Sequence, residues 1–179
     1  MRPTSKYSTG IRYGLITGVV YAILLFLRYN FFTGSPLSFG LFIMVSYLIV
    51  LVLYLFAGIA RKKELVGYAD FKDIFRTIFI TILITEAVYI IFNAIYLKYV
   101  DPSFFDNFKS VTRDYLEKHG ANQDQIDQQL KKFEEAHKQM SPVELIKGFA
   151  SWIVIDSIIG MIYAAILRKK KDIFQENKL

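Results

Sequence analysis

Any fold for this chain must first accommodate four long apolar stretches, at residues 13–32, 37–60, 77–97 and 148–167. At 1.5 Å rise per residue, a helix of about 20 residues reaches about 30 Å, the thickness of a bilayer's hydrocarbon core. Lipid offers no water to satisfy backbone groups, so only helices or closed barrels cross it, and continuous apolar blocks select helices over alternating strands. The expected fold class is an all-α integral membrane protein. A single domain over residues 1–179 has four transmembrane helices, with an extracytoplasmic helical hairpin at 101–141 between the third and fourth. The first block follows a short basic stretch (Arg2, Lys6, Arg12), but no small-x-small cleavage pattern follows it. It is therefore expected to stay in place as a helix.

Charge sets the expected orientation. The chain carries 22 Lys and Arg against 16 Asp and Glu. The excess lies in three places: the N-terminal segment, the 61–76 linker (Arg61, Lys62, Lys63, Lys72, Arg76) and the tail after the last span. The segments on the other side are balanced. By the positive-inside rule both termini and the linker are expected in the cytoplasm and the chain in a bacterial inner membrane. Arg168, Lys169, Lys170 and Lys171 form a juxtamembrane cluster suited to anionic lipid headgroups. Neither a P-loop nor a Gly-rich dinucleotide turn is present, and no nucleic-acid partner is expected. With no cysteine in the chain, disulfides, cysteine metal sites, iron–sulfur clusters and thiol nucleophiles are excluded.

Gly10, Gly14, Gly18 and Ala22 recur every four residues, a small-residue ridge along one face of the first helix that lets another helix approach closely. The partner helix is expected in the same chain, though another subunit would also fit. The second span, the most lipid-like, is expected to be a lipid-facing wall. In the hairpin, Phe104, Phe108, Val111 and Tyr115, then Ile126, Leu130, Phe133 and Met140, recur at helical spacing. Asn122 with Gln125, and Ser141-Pro142 with Glu144, read as capping boxes. A unit this small needs something else to lean on. Glu134 and His137 have a Glu-x-x-His spacing, but one copy on a charged helix does not make a di-iron site, so no metal or cofactor is expected.

Two acids interrupt the spans. Glu86 lies ten residues after Arg76 and Asp156 twelve before Arg168, which in antiparallel helices sets both near the bilayer midplane. A charged acid there costs about 2.5–3.5 kcal/mol on insertion scales, so each needs a partner or a proton. No Lys, Arg or His lies in the central part of any span. Asp156 shares a stripe with Gly160 and Ala164, a helix-packing face. Glu86 has Tyr89 and Asn93 at offsets of three and seven, so these four residues read as a buried polar pair with orienting donors. They would act either as a strut between helices or as a proton relay. No serine–histidine or metal-ligand set lies within the spans, so no enzyme activity is expected.

The stretches IRYGLITGVVYAILLFLRY, GYADFKDIFRT, IYLKYVDPSFFDNF and GMIYAAILRKKKD, taken in order, resemble the bacterial four-span membrane family catalogued as domain of unknown function 4199. The resemblance covers nearly the full chain. It implies an inner-membrane protein with a variable external helical segment, and supplies no catalytic residues. The expected role is a structural or accessory subunit, docking on other membrane proteins or on itself through the glycine ridge and the hairpin. The alternative is a small oligomeric proton-linked carrier using Glu86 and Asp156.

Overall fold

A computed structural model describes residues 7–138 and 142–169, with the side chains of 136–146 left aside. Among the described residues there are six α-helices: α1 (Ser8–Phe31), α2 (Pro36–Glu64), α3 (Phe71–Ile95), α4 (Phe104–Lys118), α5 (Gln123–Lys138) and α6 (Pro142–Leu167). A single π-helical turn, Tyr96–Val100, closes α3. There is no strand among these residues, only one bridge between Ala69 and Lys169. Four helical segments are long and apolar enough to cross a membrane: Ser8–Phe31, Pro36–Glu64, Phe71–Val100 and Lys147–Leu167. They overrun the apolar blocks, because a helix continues into polar flanks as long as its backbone bonds are made. Ser35 starts α2 by accepting from Ser38 N (3.1 Å), with Pro36 in the first turn, where its missing N–H leaves no gap.

The four long helices alternate in direction. Gly10 faces Ile80, Gly14 faces Ile84 and Gly18 faces Val88, so α1 and α3 run parallel at a constant offset of 70 residues. Tyr47 and Tyr54 on α2 both meet Asp156, and Gly58 meets Leu167, so α2 and α6 run parallel to each other. α2 and α3 pack together in the middle, with α1 and α6 flanking them. The start of α1 is tied to the end of α2, where Thr9 Oγ1 donates to both Glu64 oxygens at 2.6 Å and Arg61 Nη1 pairs with Glu64 Oε2 at 3.1 Å. The core follows α3: Ile74, Ile78 and Ile82 are fully buried with Val50, Tyr54 and Ala164. The outer faces are apolar too, as Leu15, Val19, Ile23, Met44, Leu48 and Val52 show, an arrangement suited to lipid tails.

The glycine ridge and the hairpin both pack within the chain. The glycine ridge is closed by α3, and Thr81 Oγ1 donates to Gly10 O (3.2 Å) across the contact. The hairpin leans on the far end of the bundle. Phe104 and Phe108 of α4 pack on Tyr29 and Phe39, and Phe133 of α5 packs edge-on against Phe108. Lys109 pairs with Glu134. His137's side chain, Met140 and the Ser141–Glu144 box lie outside the described side chains, as do Lys170 and Lys171. Asn122 and Gln125 do form a reciprocal box, Gln125 N to Asn122 Oδ1 at 2.9 Å and Asn122 N to Gln125 Oε1 at 3.1 Å. An Asn122→Ala chain is expected to lose about 0.5–2 kcal/mol from the start of α5. Hydrogen exchange should then speed up in that turn alone, whereas loss of protection across α1–α3 would mean the hairpin and bundle fold as one unit.

Candidate functional site

In α3 the side chains recurring every four residues, Thr77, Thr81 and Thr85, turn inward, with each hydroxyl bonded to the backbone four residues back. Glu86 continues the adjacent buried stripe of Ile74, Ile78 and Ile82, also four residues apart, and is thereby carried into the interior, where it is 5% exposed. On α6, Asp156 is drawn in one turn before Gly160, whose lack of a side chain lets α6 close on Ile78. Asp156 is completely buried.

The two acids are treated differently. Asp156 Oδ1 accepts from Tyr47 Oη at 2.6 Å and Oδ2 from Tyr54 Oη at 3.3 Å, so this carboxyl is braced by two phenols of α2. This corrects the reading of α2 as a lipid-facing wall. It has a lipid face, but its stripe Ser46, Val50, Tyr54, Ala57 and Gly58 is buried. Glu86 receives no hydrogen bond among the described residues, and the two acids do not bond each other. Nor do Tyr89 and Asn93 orient Glu86, as their spacing suggested. Asn93 Oδ1 accepts from Tyr29 Oη at 2.5 Å and its Nδ2 donates to Tyr89 O, while the Tyr89 ring stacks on Tyr21 with centroids 5.0 Å apart.

Glu86 instead lines a cavity of about 440 Å³, inside the range of about 300–1,000 Å³ usual for small-molecule sites. Tyr21 and Tyr89 form one wall, and Tyr47 and Trp152, centroids 6.0 Å apart, another. Gly40 and Met44 of α2 stand at its exposed rim. Arg28 also lines it, from four residues before the end of the first apolar block. Side chains tilt toward the N-terminus of their helix, so Arg28 points back into the bundle. There it is 6% exposed, over the rings of Tyr29 and Phe39 (4.8 and 5.2 Å), with Nη2 donating to Tyr29 Oη at 3.0 Å. Its Nε is buried without a partner among the described residues.

The sequence reading missed Tyr47, Tyr54, Tyr21 and Arg28. A usable signal for two of them was the seven-residue spacing of Tyr47 and Tyr54, which sets both phenols on one face of α2. Of the helix-packing residues, Gly10, Gly14, Gly18 and Gly160 sit at close helix contacts, Ala164 is in the core and Ala22 is half-buried. Lys169 is held by its bridge to Ala69, with Nζ 5.5 Å from the Tyr68 ring centre. No cluster of three or more His, Cys, Asp or Glu suited to a metal occurs among the described residues. A family model described as a protein of unknown function (DUF4199) matches residues 12–169. No curated protein and no solved structure matches the chain.

Proposed function

The chain belongs to the DUF4199 family, whose description assigns no activity, and from its interior we propose that it is a small carrier or binding protein working at the cavity between its spans. The observation that carries this reading is Glu86, a buried carboxyl that lines a cavity and has no donor of its own among the described residues. A fold that needs an acid as a strut supplies donors, as it does for Asp156. An acid left without them inside lipid is by default a functional group. Of the two acids Glu86 is thus the one that exchanges a proton or ligand, and Asp156 braces α6 against α2. The accessory-subunit reading loses support, because the glycine ridge and the apolar side of the hairpin are both filled from within the chain.

The setting we propose is the bacterial inner membrane, with both termini and the 65–70 turn in the cytoplasm and α4–α5 outside. The basic residues Arg61, Lys62, Lys63, Lys72, Arg76, Arg168 and Lys169 all fall at the end of the bundle where α1 begins, and all but the buried Arg61, which pairs with Glu64, favour anionic lipid headgroups there.

Dicyclohexylcarbodiimide, a lipid-soluble reagent that adds across a carboxylic acid to give an N-acylurea, tests whether the cavity is reached from the membrane. Peptide mass spectrometry is expected to place the adduct on Glu86 in most molecules, to find it abolished in Glu86→Gln, and to find Asp156 unmodified. Modification of Asp156 with Glu86 untouched would reverse the two roles. With cysteines placed singly at Val66, which is 84% exposed, and at Asn107, an impermeant maleimide applied to intact cells should label only Asn107. Labelling of Val66 alone would invert the orientation.

A further inference from the structure

The polar groups of the cavity are unequal, and the inequality defines an occupant. At one end Arg28 has a hydrogen bond to Tyr29 and two ring faces beneath it, with its Nε left unpartnered among the described residues. At the other, Glu86 has no donor among the described residues. A buried carboxyl is stabilised when a ligand supplies the missing donor or charge. The walls beside Glu86 are aromatic: Tyr21 stacked on Tyr89, and Tyr47 against Trp152. Ring faces attract cations through their quadrupole when the charge lies within about 6 Å of the centroid, and offer nothing to an anion.

Arg28 does not oppose a cation at Glu86. By the offset of 70 that pairs Gly18 with Val88, Ile16 is level with Glu86. Arg28 starts twelve residues further along α1, and its guanidinium is held back at Tyr29, whose hydroxyl bonds Asn93, seven residues or about 10 Å of helix rise beyond Glu86. Its charge therefore acts on the far end of the cavity and leaves the Glu86 end as the one that suits positive charge. The rim residues are exposed on the outer surface of the bundle: Gly40 lies one turn inside the start of α2, while Met44 and Trp152 lie eight and ten residues inside the starts of α2 and α6. A ligand therefore arrives from among the lipid tails and must be mostly apolar.

From this arrangement we propose that the cavity binds a lipophilic organic cation, a compact apolar or aromatic body bearing an ammonium-type group, with the charge at Glu86 between the two aromatic pairs. The proposal rests on the cavity being the working site and adds the ligand's class.

The test uses the full chain in lipid nanodiscs and the fluorescence of Trp152, the one tryptophan in the sequence, read against empty nanodiscs. The probes are benzyltrimethylammonium, its uncharged carbon isostere neopentylbenzene, and benzoate. The cation is expected to shift Trp152 emission saturably and to bind at least tenfold tighter than the isostere. Glu86→Gln should weaken the cation at least tenfold and leave the isostere unchanged, while Glu135→Gln on the exposed face of α5 should change neither. If Glu86→Gln fails to fold, the wild-type comparison of cation with isostere still decides. Equal binding of cation and isostere, or benzoate binding tightest, would overturn the cation assignment and leave the cavity as a site. No response to any of the three probes would overturn both readings.

Discussion

Gly14→Ala is expected to destabilise the bundle by about 1–3 kcal/mol, the usual cost of overpacking a tight contact, while Gly40→Ala changes stability by less than about 0.5 kcal/mol. A Cβ at Gly14 would stand 2.8 Å from Ile84 Cβ and 3.0 Å from Ile84 Cδ1, whereas one at Gly40 meets nothing within 4 Å. Ile84 Cβ is fixed to the α3 backbone, so a rotamer change cannot move it away, and the two helices must separate. The separation spreads along the interface. At Gly10 the backbone oxygen accepts from Thr81 at 3.2 Å, and further up Tyr21 stacks on Tyr89. Packing, not hydrophobicity, holds helices together in lipid, so a lost contact is not replaced by burial elsewhere. Unfolding in mixed micelles followed by circular dichroism would check this. Equal losses at Gly14 and Gly40 would mean that α1 and α3 are not in close contact.

The same interface shows how far sequence reasoning reached. A period of four in Gly10, Gly14 and Gly18 states that a close helix contact exists, because small residues at that spacing leave one helix face without side-chain bulk, and the four apolar blocks state how many helices can span a bilayer. Both depend on local pattern. Partner choice depends on three-dimensional register, which one chain's pattern leaves open. Asp156 and Glu86 read alike as lone acids in apolar runs. They differ because α2 brings two phenols to one and an empty wall to the other, and Tyr47 and Tyr54 are hidden in a block whose overall apolarity suggested lipid contact. Arg28 is hidden for a related reason: it stands four residues before the end of an apolar block, and only the tilt of helical side chains carries its guanidinium inward. The landing of the hairpin on Tyr29 and Phe39 likewise has no local signature.

Replacing each acid by leucine should separate their roles by opposite effects on stability. In the unfolded state of a membrane protein the helices still cross the bilayer, so the insertion cost of a carboxyl is present on both sides of the equilibrium and largely drops out. What remains is the difference in hydrogen bonding. Asp156→Leu removes the acceptor of Tyr47 at 2.6 Å and of Tyr54 at 3.3 Å, and at about 0.6–1.7 kcal/mol for a bond between membrane helices the loss is about 1–3 kcal/mol. Asp156→Asn, which keeps an acceptor oxygen, should recover about half of it. Tyr47 is half-exposed, but to lipid, which cannot compete for the bond, so the shorter distance decides. A double-mutant cycle of Tyr47→Phe with Asp156→Leu should give the larger coupling, and one with Tyr54→Phe the smaller. Glu86→Leu removes no hydrogen bond among the described residues and replaces a buried polar group with an apolar one, so the bundle should be as stable as before or more so. A residue kept against stability is expected at a working site. If Glu86→Leu instead destabilises as much as Asp156→Leu, Glu86 is a strut like its neighbour, and the cavity loses the group that makes it a binding site.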